Sequence, residues 1–297
     1  MTSVLVTGAS GFAGSHLVDL LTSAGVPVVG WRRRDVDLVD GPAVARALAD
    51  MRPATVFHCA GSAHVAQSWA DPRETLATNV LGTHHLLDGL RKTGVSARVL
   101  IPGSSYVYRQ SDHALSEDAE IGPASPYALG KLAQEMLGAR SVAEDRQQVF
   151  ITRSFNHIGP RQDPSFAASA FARQIALIEK GGIAPVIEVG NLDAMRDLTD
   201  VRDTVRAYQA IVERGRPGIP YNVCSGTAVR IGDLLNELVK LSRVPVEIRI
   251  DPARYRPNDI PLLLGNPARL KKDTGWEPAI PLAQTLADLL GYWRTEG

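Results

Sequence analysis

The chain has 297 residues, 44% hydrophobic and 22% charged, an ordinary make-up for a soluble globular protein and long enough for one large α/β unit or two joined lobes. Its 32 basic and 32 acidic side chains cancel, so no long-range field draws it to nucleic acid or to an anionic membrane. No leader-like or membrane-length apolar run is read, and Cys59 and Cys224 read as small core residues in a reducing compartment. The expected setting is the cytoplasm, with neither a disulfide nor a metal framework.

The β-branched run Val4-Leu5-Val6-Thr7 leads into Gly8-Ala9-Ser10-Gly11-Phe12-Ala13-Gly14 and then into an apolar helix pattern at Leu17, Val18, Leu20 and Leu21. That order predicts strand, tight turn and helix. Gly8 would permit a positive-φ turn, Gly11 would let backbone N–H groups approach a diphosphate, and Gly14 would let the helix lie close on the sheet. Taken alone, a glycine triplet also fits a Gly-rich loop. Its place directly after a strand favours a dinucleotide site.

Pro27 to Trp31 predicts the second strand, followed by Arg32-Arg33-Arg34-Asp35. At the end of that strand an acidic residue favours NAD and arginine favours NADP. The arginines point to NADPH, and Asp35 keeps NADH possible. A short helix is expected over 42–51, a strand over Thr55 to Ala60, a long helical region over 72–92 and a strand over Arg98 to Gly103. Ser125-Pro126 reads as cap and first residue of a further helix. Val149 to Arg153 is the next strand. Such alternation implies a doubly wound parallel sheet, α/β in class.

Beyond Asn156 the rhythm loosens into a smaller lobe. Helices are expected at 166–179, 200–212 and 231–241, a strand at 221–224, and two helical stretches at the end. The expected division is a dinucleotide-binding domain at 1–155, joined by segments near 197–213, and a substrate-binding lobe at 156–297.

Tyr127 and Lys131 stand four apart on a helix and so share a face. An ammonium beside a phenol lowers its pKa and makes Tyr127 a usable proton donor, with Lys131 also able to bond a cofactor ribose. Alone, this spacing fits a solvated helix face equally well. Ser104 follows a parallel strand, where open sheets place ligands, and could steady a carbonyl oxygen beside Tyr127.

These motifs resemble the extended short-chain dehydrogenase/reductase family, whose members act on nucleotide-linked sugars, over essentially the whole chain. The resemblance implies a Rossmann-type fold, catalysis by Ser104, Tyr127 and Lys131, and a cofactor site at Gly8, Gly11, Phe12, Gly14, Arg32, Asp37, Leu38, Ala60, Asn79, Tyr127, Lys131 and His157. Segments at 153–160, 189–197, 221–226, 256–261 and 274–278 are similar to the branch holding GDP-mannose 4,6-dehydratases and GDP-4-keto-6-deoxy-D-mannose reductases. In that branch Ser104 and Asn156 would contact the substrate, Arg196 and Arg256 its diphosphate, and Asp259 the nucleoside ribose.

The dehydratase pattern carries Glu two residues after the catalytic Ser or Thr, and Tyr106 stands there. A phenol is a poor base at neutral pH, whereas ketone reduction needs only hydride, Tyr127, Lys131 and Ser104. The expectation is therefore reduction of a nucleotide-linked 4-keto-6-deoxyhexose, most simply GDP-4-keto-6-deoxy-D-mannose, by a homodimer. A nucleotide-sugar 4-epimerase, a 4,6-dehydratase and a non-catalytic dinucleotide-binding protein are the alternatives.

Overall fold

The computed structural model describes residues 3–254 and 260–296. β1 (Val4–Thr7), α1 (Phe12–Ser23), β2 (Val28–Trp31), α2 (Gly41–Met51) and β3 (Thr55–His58) come first. Three short pieces follow: α3 (Val65–Ala70), α4 (Pro72–Leu76) and a π-helical turn at Ala77–Leu81. Then come α5 (Gly82–Thr93), β4 (Arg98–Ser104), α6 (Pro126–Asp145) and β5 (Gln148–Ser154). The second half adds β6 (Asn156–Ile158), α7 (Ala167–Glu179), β7 (Val186–Val189), β8 (Met195–Asp200), α8 (Val201–Arg214) and β9 (Pro220–Val223). It closes with β10 (Ala228–Arg230), α9 (Ile231–Lys240), β11 (Glu247–Ile250), β12 (Leu262–Leu263), α10 (Ala268–Thr274) and α11 (Leu282–Glu296).

Six strands form one parallel sheet in the order β2-β1-β3-β4-β5-β9. Alternation along each strand sends side chains to two different cores. Val4, Val6, Phe57, Leu100 and Phe150 pack with α1 and α8, while Leu5, Val56, Val99, Ile101 and Ile151 pack with α2, α5 and α6. Burial on both faces is why these strands read as near-continuous apolar runs. The segments that return to this sheet are α8, packed on its face, and β9, on its edge beside β5. Around β8 a second sheet pairs it with β10, β12 and β6, and α7, α9 and α11 enclose a separate apolar core.

Helix starts follow from their caps. The Ser125 hydroxyl oxygen accepts the Ala128 N–H at 3.1 Å with Pro126 as the first helical residue, and Asp40 accepts from Ala43 at 3.0 Å. The long helix expected over 72–92 is not continuous. It widens to a π turn at 77–81, and the Asn79 amide there pairs with both backbone groups of Ser62, accepting from its N–H at 2.7 Å and donating to its carbonyl at 3.2 Å. Periodicity alone does not carry that information, because the bonds come from a loop 17 residues away.

Candidate active site

β1 and β3 are neighbours, yet the chain leaves β1 for β2 on one side and then crosses to β3 on the other. Open α/β sheets bind ligands at the carboxyl ends of strands at such a reversal. Gly8, just beyond β1, has φ +65°, and a Cβ there would lie 2.6 Å from the Ala60 nitrogen. Gly11 donates its N–H to the Gly8 carbonyl at 2.9 Å and stands at the N-cap of α1, and a Cβ on Gly14 would run into that same carbonyl oxygen. The first turn of α1 thus lies bare against the loop, with no acidic side chain in it. Its unpaired N–H groups suit a diphosphate, so these residues fit a dinucleotide.

Asp37, Leu38 and Arg32 lie beyond β2. The Arg32 N–H donates to Asp35 at 2.9 Å, Asp37 accepts from the Val39 N–H at 3.0 Å, and Leu38 is buried with its carbonyl bonded to His85. Arg33 pairs with Glu74 at 3.0 Å. A cavity of about 330 Å³ lined by Arg33, Asp37, Arg73, Glu74 and Ala77 joins this loop to the π turn.

Beneath Ala60 runs a buried polar chain that sequence reading missed. Thr83 donates to the Asn79 carbonyl at 2.7 Å and so must accept from Gln134 at 2.6 Å and from His58 Nε2 at 3.0 Å. His58 Nδ1 then accepts from Thr7 at 2.9 Å, and Thr7 accepts the Ala60 N–H at 3.2 Å. The donor count assigns His58 the neutral Nε2–H form. Burial, with the Lys131 charge adding to it, pushes its pKa down to about 3. The available signal was Asn79 and Thr83, polar residues four apart that share one face with the apolar Leu86, Leu87 and Leu90.

Ser104 ends β4, and its hydroxyl accepts the Tyr106 N–H at 3.2 Å. Tyr127 and Lys131, one turn apart on α6, come to the same strand end. The Tyr127 hydroxyl faces Ser104, and Lys131 Nζ donates to the Pro102 carbonyl at 2.9 Å. A Cβ on Gly61 would sit 2.9 Å from Asn79 Oδ1 and 3.7 Å from Lys131 Nζ, so the π turn and α6 converge there. The expectation that Lys131 lowers the Tyr127 pKa is corrected. Burial raises the phenol to about 12 against the opposing Ser104 hydrogen bond, because Lys131 is turned to the Pro102 carbonyl. Burial also brings Lys131 down to about 8, with Cys59 opposing. Tyr127 is therefore held in the form that can give a proton.

Phe12, at the start of α1, stacks on His157 at 5.6 Å between ring centroids and 8° between planes. His157 Nδ1 donates to the Phe155 carbonyl at 3.1 Å, and burial lowers its pKa, so Nε2 remains an acceptor. Asn156 opens β6 with Oδ1 buried and without a partner. Arg196, on β8, is buried and donates to the Met195 and Ile260 carbonyls at 2.8 and 2.6 Å. Its neighbour Asp197 accepts from Ser225, Gly226 and Gly265, which pins two loops to β8. Arg256 and Asp259 lie outside the described residues. Among the described residues no His, Cys, Asp and Glu side chains gather as a metal site, and no helix is long and apolar enough to cross a membrane.

The sequence profile of the NAD dependent epimerase/dehydratase family matches residues 4–224. The chain is 38% identical to GDP-6-deoxy-D-mannose reductase of Pseudomonas aeruginosa over 98% of its own length and 97% of that protein's. It is 27% identical to GDP-mannose 4,6 dehydratase 2 of Caenorhabditis elegans, covering 96% of this chain and 87% of the relative. The solved structure of RMD from Pseudomonas aeruginosa complexed with NADPH superposes with a TM-score of 0.93 at 36% identity, over 100% of both chains.

Proposed function

The chain belongs to the NAD dependent epimerase/dehydratase family, and on that footing we propose that it reduces the C4 ketone of GDP-4-keto-6-deoxy-D-mannose with NADPH, giving GDP-D-rhamnose or its C4 epimer. One observation carries the choice of reaction. Among the described residues, the charged and polar groups that shift Tyr127 and Lys131 are Ser104, Tyr106 and Cys59, with no carboxylate among them, and it is Tyr106 that stands two residues after Ser104 in the turn. Dehydration must remove the C5 proton and expel the C6 hydroxyl, which calls for such a base, whereas reduction does not. The likeness to a GDP-6-deoxy-D-mannose reductase supports the same choice.

NADPH, when bound, supplies the hydride to C4. Tyr127 gives its phenolic proton to the C4 oxygen, and the Ser104 hydroxyl steadies that oxygen as charge gathers on it, so that C=O becomes CH–OH. Lys131, whose ammonium also bonds the Pro102 carbonyl, would hold the cofactor ribose. Gly8, Gly11, Phe12, Gly14, Asp37, Leu38, Ala60, Asn79 and His157 would hold the dinucleotide, with Arg32 and its arginine neighbours taking the 2′-phosphate and NADH the weaker donor. Asn156, Arg196, Arg256 and Asp259 would hold the GDP-sugar. In this reading 1–155 with the returning 201–223 segment forms the dinucleotide-binding unit, and the remainder of 156–297 the sugar lobe.

The test is incubation with enzymatically made GDP-4-keto-6-deoxymannose and NADPH or NADH. Loss of absorbance with appearance of a GDP-6-deoxyhexose is expected. An enzyme that carries tightly held NAD and consumes no added NADPH is instead a 4-epimerase, and one that converts GDP-mannose without a reductant is a dehydratase.

The enzyme is further proposed to be a cytoplasmic homodimer, in keeping with its two free cysteines and with the large apolar side chains left exposed on adjoining elements: Trp69 on α3, Leu81 in the π turn, and Leu129 and Met136 on α6. Paired Leu129→Glu and Met136→Glu substitutions are expected to halve the mass measured by light scattering at micromolar concentration. An unchanged mass would remove this interface.

A further inference from the structure

Tyr106 lies beside the reacting groups without a role in the chemistry so far. It follows Ser104 by two residues in the tight turn at 105–107, and its ring meets that of Tyr127 edge-on, 6.1 Å between centroids and 77° between planes. The body of the ring is seated on an apolar cluster that includes Val107, Phe155 and Leu263. Leu263 belongs to β12, which pairs with β8 beside Arg196, so Tyr106 stands between the catalytic phenol and the second lobe. Its position is thus fixed by packing. Its hydroxyl, by contrast, makes no hydrogen bond with any described residue, and the side chain is only half-buried. A phenol held by its ring, with a hydroxyl that no described residue engages, is a pre-organised hydrogen-bonding group.

We propose that Tyr106 is a specificity-determining residue whose hydroxyl bonds the sugar hydroxyl vicinal to the ketone. This rests on the reductase reading of the preceding section. Ser104 and Tyr127 are both committed to the ketone oxygen, which leaves Tyr106 for the neighbouring position on the ring. In a 4-keto-6-deoxyhexose that hydroxyl is the one on C3, because C5 carries only the ring oxygen and the methyl carbon. A site that bonds a hydroxyl discriminates against the sugar lacking it, since its own polar group is then left unpaired.

The test compares wild type with Tyr106→Phe, which keeps the ring and its packing, on two ketones: GDP-4-keto-6-deoxymannose and its 3-deoxy analogue. Tyr106→Phe is expected to raise KM for the first ketone by about five- to tenfold, the usual effect of losing one neutral hydrogen bond, with kcat within about twofold. KM for NADPH should not move, and the two proteins should share one KM for the 3-deoxy ketone. An unchanged KM for the first ketone overturns the proposal, as does an equal rise for both ketones, which would mark a change of shape. A wild type that reduces neither ketone overturns the reductase reading itself, and this proposal with it.

Discussion

Tyr127→Phe is expected to lower kcat for ketone reduction by about a hundredfold or more, the ordinary worth of a positioned proton donor. The argument rests on two features. Tyr127 is buried, so water cannot readily replace its proton, and its hydroxyl faces Ser104 at the end of β4. Loss of one oxygen leaves the ring and its edge contact with Tyr106 in place, so NADPH affinity should stay within about threefold by fluorescence titration. The pH profile of wild-type kcat/KM provides a second reading. Tyr127 stays protonated to about 12, so it does not set the working range. Lys131 carries its charge below about 8 and loses it above, so the rate should fall as pH rises through that value. A profile flat to pH 10, or full turnover by the Phe variant, would remove the mechanism.

Gly14→Ala is expected to weaken NADPH binding by more than tenfold and to lower stability by about 2–3 kcal/mol, the cost of forcing a methyl group into a closed contact. The obstacle is backbone: the added Cβ would run into the Gly8 carbonyl oxygen, which also accepts the Gly11 N–H, so α1 has to move away from the loop that should cradle the diphosphate. Gly25→Ala is the control. Gly25 also has a positive φ, +72°, but a Cβ there meets nothing within 4 Å. That change should cost roughly 1 kcal/mol of backbone strain and leave cofactor affinity unaltered. Thermal melting with and without NADPH separates the two effects, and an unweakened Gly14→Ala would mean that the diphosphate binds elsewhere.

The sequence by itself determined the parts of this protein that depend on neighbours in the chain. The run from Val4 to Gly14 states strand, turn and helix within eleven residues. Ser125-Pro126 states a helix start, and Tyr127 and Lys131 share a face because 3.6 residues make a turn. The parallel sheet followed from apolar runs long enough to be buried on both sides. Tertiary structure decided whatever depends on residues far apart. The π turn is held where Asn79 meets Ser62, the tautomer of His58 is set by Thr7 and Thr83 while burial keeps the ring neutral, and β9 joins the sheet edge beside β5 with α8 packed on the sheet's face. The phenol of Tyr127 shows the difference most plainly. Its spacing from Lys131 predicted a lowered pKa, but burial dominates, and the amine is turned to a backbone carbonyl 29 positions away in the chain. Spacing fixes which side chains share a face, whereas solvent exclusion and competing acceptors are properties of the whole fold.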